Sequence, residues 1–93
     1  MDSRLTVNKR LSVFEFQTDN GTSKVMYVRR KNVLYLNYAF VPSEMRGKGV
    51  GAEMMSAVLV YARVKKLQVV PICSYIVRYM NQHKEWDDLL YSP

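Results

Sequence analysis

Ninety-three residues carry 14 Lys and Arg against 8 Asp and Glu, a formal charge of +6, with 48% of residues hydrophobic. That length supports one core and therefore a single domain, residues 1–93. No apolar run approaches the roughly 20 residues of a membrane span, Met1–Arg10 has no signal-peptide centre, and a lone cysteine, Cys73, excludes an internal disulfide framework. These features lead us to expect a cytoplasmic protein, or a nuclear one, with an anionic partner.

In chain order, the first extended stretch lies within Val7–Phe16 and ends in Val13-Phe14-Glu15-Phe16. Asp19-Asn20-Gly21 follows, and Asn-Gly predicts a hairpin turn because both residues tolerate positive φ. Lys24–Arg30 reads as a second strand, with Val25 and Tyr27 on one face and Met26 and Val28 on the other. Lys31-Asn32 turns the chain into a third strand, Val33–Val41. There Leu34, Leu36, Tyr38 and Phe40 alternate with Val33, Tyr35, Ala39 and Val41, the pattern of a central strand covered on both sides. Pro42 ends it, since proline cannot donate to a ladder.

From Gly51 to Lys66 the period becomes helical, with Met54/Met55, Val58, Tyr61/Ala62 and Lys65 recurring at steps of three and four. Leu67–Ile72 is a short apolar strand one crossover helix after the third, so the two should run parallel. Ser74–Gln82 predicts a second helix that displays Tyr75, Val77, Arg78 and Tyr79 together. Glu85–Leu90 forms a tail turn carrying Trp86, Leu89 and Leu90. The order β-β-β-α-β-α describes an α+β domain with a mixed sheet.

Between the third strand and the first helix lies Arg46-Gly47-Lys48-Gly49-Val50-Gly51, with three of the four glycines in the chain. Glycines there let backbone N–H groups approach an anion closely, and a helix beginning at that point adds its orphan donors and positive dipole end. The arrangement is that of a phosphate cradle. A Walker A loop would need Ser or Thr after its lysine, and Lys48 is followed by Gly49. A dinucleotide fingerprint needs G-x-G-x-x-G on the first strand of a parallel unit, and the spacing here is Gly47-x-Gly49-x-Gly51 after antiparallel strands. Neither fits.

The spacing that does fit is Arg46-x-x-Gly49-x-Gly51. It resembles the [QR]-x-x-G-x-[GA] loop of the GCN5-related N-acetyltransferases, which holds the pyrophosphate of acetyl-coenzyme A. Phe40-Val41-Pro42-Ser43, Ala57 to Arg63, Val70-Pro71-x-Cys73-Ser74-Tyr75 and His83-x-x-Trp86 are similar to the family's short, stand-alone branch in bacteria and plants, and the likeness runs over Val25–Leu89. The resemblance implies that the third strand and Leu67–Ile72 splay apart around the pantetheine arm. Backbone groups at Phe40 and Val41 would pair with that arm, and an N–H there would polarise the thioester carbonyl. Amides of Arg46, Gly47, Lys48, Gly49, Val50 and Gly51 would hold the pyrophosphate. Two departures stand out. The chain has no room for the N-terminal helices that full-length members devote to the acceptor. Where bacterial short members carry His-Thr-Glu, it has Tyr38-Ala39-Phe40, as in the plant type.

Two residues are candidates for the chemistry. Cys73 precedes a helix start, where a thiol can be activated, and the resemblance makes it a catalytic residue. A lone cysteine after an apolar strand is equally the description of a small, inert core residue. Tyr75 would protonate the leaving thiolate by the same resemblance, with Tyr79 one turn on the weaker counterpart; either also reads as a packing aromatic. His83, the only histidine, is expected in solvent, and without a Cys or carboxylate cluster no metal site is expected. The leading reading is an acetyl-coenzyme A-dependent N-acyltransferase acting on an amine of a small molecule or of a protein lysine. A coenzyme A-binding module without efficient catalysis competes with it. A nucleic-acid binder ranks last, because the clusters Arg29-Arg30-Lys31, Arg46/Lys48 and Arg63/Lys65/Lys66 are spread over loops without a recognition motif.

Overall fold

The computed structural model describes residues 1–93 and contains five strands and two α-helices. β1 (Leu5–Asn8), β2 (Val13–Thr18), β3 (Gly21–Arg30) and β4 (Val33–Phe40) form an antiparallel meander. α1 (Val50–Val64) then crosses to β5 (Gln68–Pro71), which pairs parallel with β4; α2 (Ser74–Gln82) and a 3-10 helix, Lys84–Leu89, follow. Strand order in the sheet is β1-β2-β3-β4-β5.

The sheet has one strand more than the sequence pattern supplies, because Val7–Phe16 belongs to two strands. Asn8 Oδ1 accepts the Leu11 amide at 3.1 Å and Ser12 takes φ 56°, so the chain reverses without the glycine or proline that advertises a turn. The next hairpin turns on Asp19-Asn20, a residue earlier than expected, with Thr18 and Gly21 already paired.

One face of the sheet carries the core. Phe14 and Phe16 of β2, Val25 and Tyr27 of β3, Leu34 and Leu36 of β4 and Val69 of β5 share a buried cluster with the two helices. α1 supplies Met54, Met55, Val58, Leu59 and Ala62, and α2 supplies Ile76 and Met80. Each such aliphatic side chain contributes about 1.5–3 kcal/mol by leaving water. The opposite face is open, with Met26, Val28, Tyr38 and Phe40 exposed on it. β4 is therefore covered on one side only, and its doubled apolar pattern has another cause. Tyr27 pairs with Leu36 but Met26 pairs with Tyr38, leaving Asn37 as the extra residue of a β-bulge. The alternation inverts there: Leu34 and Leu36 face the core before the bulge, and Ala39 and Val41 after it.

β4 and β5 stay paired from Val33–Gln68 to Leu36–Pro71. The amides of Ile72 and Cys73 then converge on the Leu36 carbonyl at 3.0 and 3.3 Å, and β5 ends there while β4 runs on to Phe40. The tail is pinned to α1 by Arg63, which donates to the Glu85 carbonyl at 3.0 Å, pairs with Asp88 and lies 4.6 Å over the Trp86 ring.

Candidate active site

The loop Arg46–Gly49 leaves a 3-10 turn, Ser43–Met45, and runs directly into α1. Met45 is buried beneath it, with its sulfur 3.9 Å from Thr18 Oγ1, so the loop rises from an anchored base. Gly47 and Gly49 hold φ of 77° and 80°, left-handed backbone that costs other residues about 1–2 kcal/mol. A Cβ at either would meet nothing within 4 Å, so glycine serves conformation and open approach rather than crowding. Gly49 is the N-cap of α1 and no side chain caps that helix. The amides of Val50, Gly51 and Ala52 therefore have no intrahelical acceptor and sit at the positive end of the dipole. Lys48 and Arg46 are exposed beside them, although Arg46 Nε is already donating to the Val41 carbonyl at 3.0 Å.

Gly51 is constrained differently. A Cβ there would collide with the Tyr75 hydroxyl and come within 3.6 Å of Val41 Cγ2. The Tyr75 ring, from the first turn of α2, thus lies across the first turn of α1. With Ala39, Val41, Met45, Arg46, Gly47 and Gly51 it lines a cavity of about 310 Å³ beside the stretch of β4 that runs on past the end of β5. Burial raises the Tyr75 pKa above the usual phenol value; the Arg78 guanidinium opposes the shift and Cys73 adds to it. At neutral pH the Tyr75 hydroxyl keeps its proton.

A family model described as GCN5-related N-acetyl-transferase matches residues 13–89. The chain belongs to that family. The solution structure of a GCN5-like protein from Staphylococcus aureus shares 21% identity with it, over 99% of this chain and 93% of that one, at a TM-score of 0.72. At that identity the likeness speaks for the fold, a five-stranded mixed sheet with two helices. The family and fold expected from the loop and from Pro71-x-Cys73-Ser74-Tyr75 are both borne out.

In this GCN5-related chain the expected site residues are distributed unevenly. Val41, Arg46, Gly47, Gly51 and Tyr75 share the cavity, and Lys48, Gly49 and Val50 continue the same loop into α1. Phe40 does not line it, because the Asn37 bulge turns its side chain to the open face. Cys73 does not line it either. It is the N-cap of α2, its carbonyl accepts the Val77 amide at 2.9 Å, and its free thiol is half-buried against the core. Tyr79, expected on the surface beside Tyr75, is a core residue. Its ring stacks on His83 at 3.9 Å between centroids, and His83 Nδ1 lies 2.8 Å from the Tyr79 carbonyl. His83 is accordingly half-buried rather than free in solvent. Ala39 and Met45 are lining residues the sequence reading missed. The doubled apolar pattern around Asn37 was the signal for Ala39; Met45 gave none beyond being apolar in a polar loop.

Proposed function

We propose that the chain is an acyltransferase that binds acetyl-coenzyme A through the Arg46–Gly51 loop and passes the acyl group to an amine. The observation that carries this reading is the uncapped start of α1. Two positive-φ glycines precede it, and it opens onto a cavity lined by Ala39, Val41 and Tyr75. The residues fit a pyrophosphate: orphan amides at a helix N-terminus, open space at Gly47 and Gly49, and the charges of Lys48 and Arg46. Acetyl-coenzyme A, when bound, supplies an activated acyl thioester. Tyr75 is poised to donate a proton within the cavity, and Arg46 must release the Val41 carbonyl if that group is to pair with the pantetheine arm.

A coenzyme A-binding module is the second reading. It is favoured by the place of Cys73 outside the cavity lining and by the absence of any carboxylate or histidine from that lining. The nucleic-acid reading loses support because Arg63, one of its basic residues, is engaged by Asp88, Glu85 and Trp86.

Calorimetric titration with acetyl-coenzyme A and coenzyme A at two salt concentrations tests the shared premise. One-to-one binding that survives moderate salt is expected. Gly49→Val should lose at least tenfold in affinity while remaining folded, since a β-branched side chain does not accept φ near 80°. Unchanged affinity in the folded variant would move the cradle elsewhere, and no binding by the parent protein would end both coenzyme A readings.

A further inference from the structure

A second cavity, of about 270 Å³, lies at the end of α1 opposite the Arg46–Gly51 loop. It sits between the turn that follows β1, the last residues of β3 and the junction of α1 with β5. Its floor is aromatic and buried. Phe14 is tilted against Tyr27 at 4.8 Å between ring centroids and meets Tyr61 edge-on at 5.4 Å, and Leu34 and Leu67 complete the apolar wall. A further ring extends such a set of tilted and edge-on contacts.

The mouth is cationic. Lys9 and Arg29 line it, both exposed, and the Lys65 ammonium stands 6.0 Å from the centre of the Tyr61 ring. Arg29 Nε donates to the Lys31 carbonyl at 2.8 Å, which holds the guanidinium in place and leaves its terminal nitrogens for an anion. None of the three ion pairs in the structure includes Lys9, Arg29 or Lys65.

The eight carboxylate side chains all stand elsewhere. Asp2 and Glu53 are held by Arg4, and Asp88 by Arg63. Glu15 falls between the core residues Phe14 and Phe16 of β2 and so points to the open face of the sheet. Asp19 and Glu44 follow β2 and β4, at the ends of those strands away from the cavity. Glu85 and Asp87 belong to the tail, on the side of α1 that carries Arg63, whereas Tyr61 turns the other way to Phe14. The last carbonyls of α1 would repel an anion, but those of Tyr61, Ala62 and Arg63 accept the amides of Lys65, Leu67 and Lys66.

We propose that this cavity is a second ligand site, taking an organic anion with one aromatic ring: the ring against Phe14, Tyr27 and Tyr61, the carboxylate or phosphate between Lys9 and Arg29. The site is independent of the acyltransferase reading, since the two cavities share no lining residue. An ammonium ligand would meet three cations and no counter-charge, and an inorganic anion would leave the aromatic floor unused.

NMR titration of the full chain at low salt with benzoate, phenyl phosphate, benzyl alcohol, benzylamine and sulfate reads the site directly. At least one of the two aromatic anions should bind saturably, at least tenfold tighter than benzyl alcohol or sulfate, with shifts at Tyr27, Leu34 and Tyr61. The tighter of the two names the charged group, and benzylamine should not bind. Lys9→Gln combined with Arg29→Gln, both exposed positions, should cost the aromatic anion at least tenfold and leave benzyl alcohol unchanged. Gly49→Val, which disables the coenzyme A loop, should leave the anion affinity as it was. Sulfate binding as tightly as benzoate and phenyl phosphate, benzylamine binding at Tyr61, or an anion affinity untouched by the double substitution would overturn the proposal. Displacement of the aromatic anion from Tyr61 by coenzyme A would overturn it too, because the cavity would then belong to the cofactor.

Discussion

Gly51 and Tyr75 constrain one another, and the pair links helix propensity to the shape of the site. In an exposed helix, alanine in place of glycine gains about 1 kcal/mol. Here the added Cβ collides with the Tyr75 hydroxyl, the far end of a side chain that can swing. Propensity and displacement oppose each other, so Gly51→Ala should change stability by no more than about 1 kcal/mol. The cavity is less forgiving, because a displaced Tyr75 ring alters its wall. Coenzyme A affinity should fall about tenfold in Gly51→Ala, and Tyr75→Phe in that background should recover part of it by removing the hydroxyl. Urea denaturation and calorimetry on the two single variants and the double variant measure the coupling, expected at about 0.5–3 kcal/mol for groups in contact. A coupling of zero would mean that the Tyr75 ring does not lie over α1.

At the scale of elements, α1 ends in a way the sequence disguises. The Leu67 amide reaches the Ala62 carbonyl at 2.8 Å and the Lys66 amide reaches Arg63 at 3.2 Å, with Lys66 at φ 58°. That is a Schellman ending with lysine where glycine is usual. Lys66→Gly should therefore raise stability by about 1 kcal/mol, because the left-handed residue would no longer be strained; an unchanged urea midpoint would contradict this account. Helices were legible here because their core positions repeat at a fixed period. Ser74–Gln82 was read at its observed bounds, and Gly51–Lys66 overlaps α1 to within two residues. The β1–β2 reversal was not legible, since a side-chain bond from Asn8 and a left-handed Ser12 do the work of a turn glycine. Nor was the bulge, because one extra residue at Asn37 changes no composition yet exchanges the two faces of half a strand. The site divides the same way. Glycines at positive φ are a residue-type demand that a sequence displays, whereas the lining role of Ala39 depends on strand parity. The Tyr79–His83 stack depends on how α2 meets the 3-10 helix that follows it, which no periodicity encodes.

At the scale of the whole molecule, tyrosines set the alkaline limit of stability. Tyr27, Tyr75 and Tyr79 lie on the core or at its margin, and burial is the leading cause that raises the pKa of each. Below the unfolded phenol value of about 10 both folded and unfolded chains keep these protons, and stability is independent of them. Above it the unfolded chain releases protons that the folded chain retains. Stability then falls, by up to about 1.4 kcal/mol per pH unit for each tyrosine, until pH passes the folded values. Urea midpoints measured at pH 8 and pH 11 should therefore differ, with the lower midpoint at pH 11. Tyr27→Phe and Tyr79→Phe should each flatten the decline, because a phenylalanine in the same place has no proton to lose. The effect arises in the protein interior and so resists salt, unlike repulsion among the exposed charges behind the net +6. An alkaline decline that vanishes in high salt, or that survives both phenylalanine substitutions undiminished, would assign the loss to surface charge and not to the tyrosines.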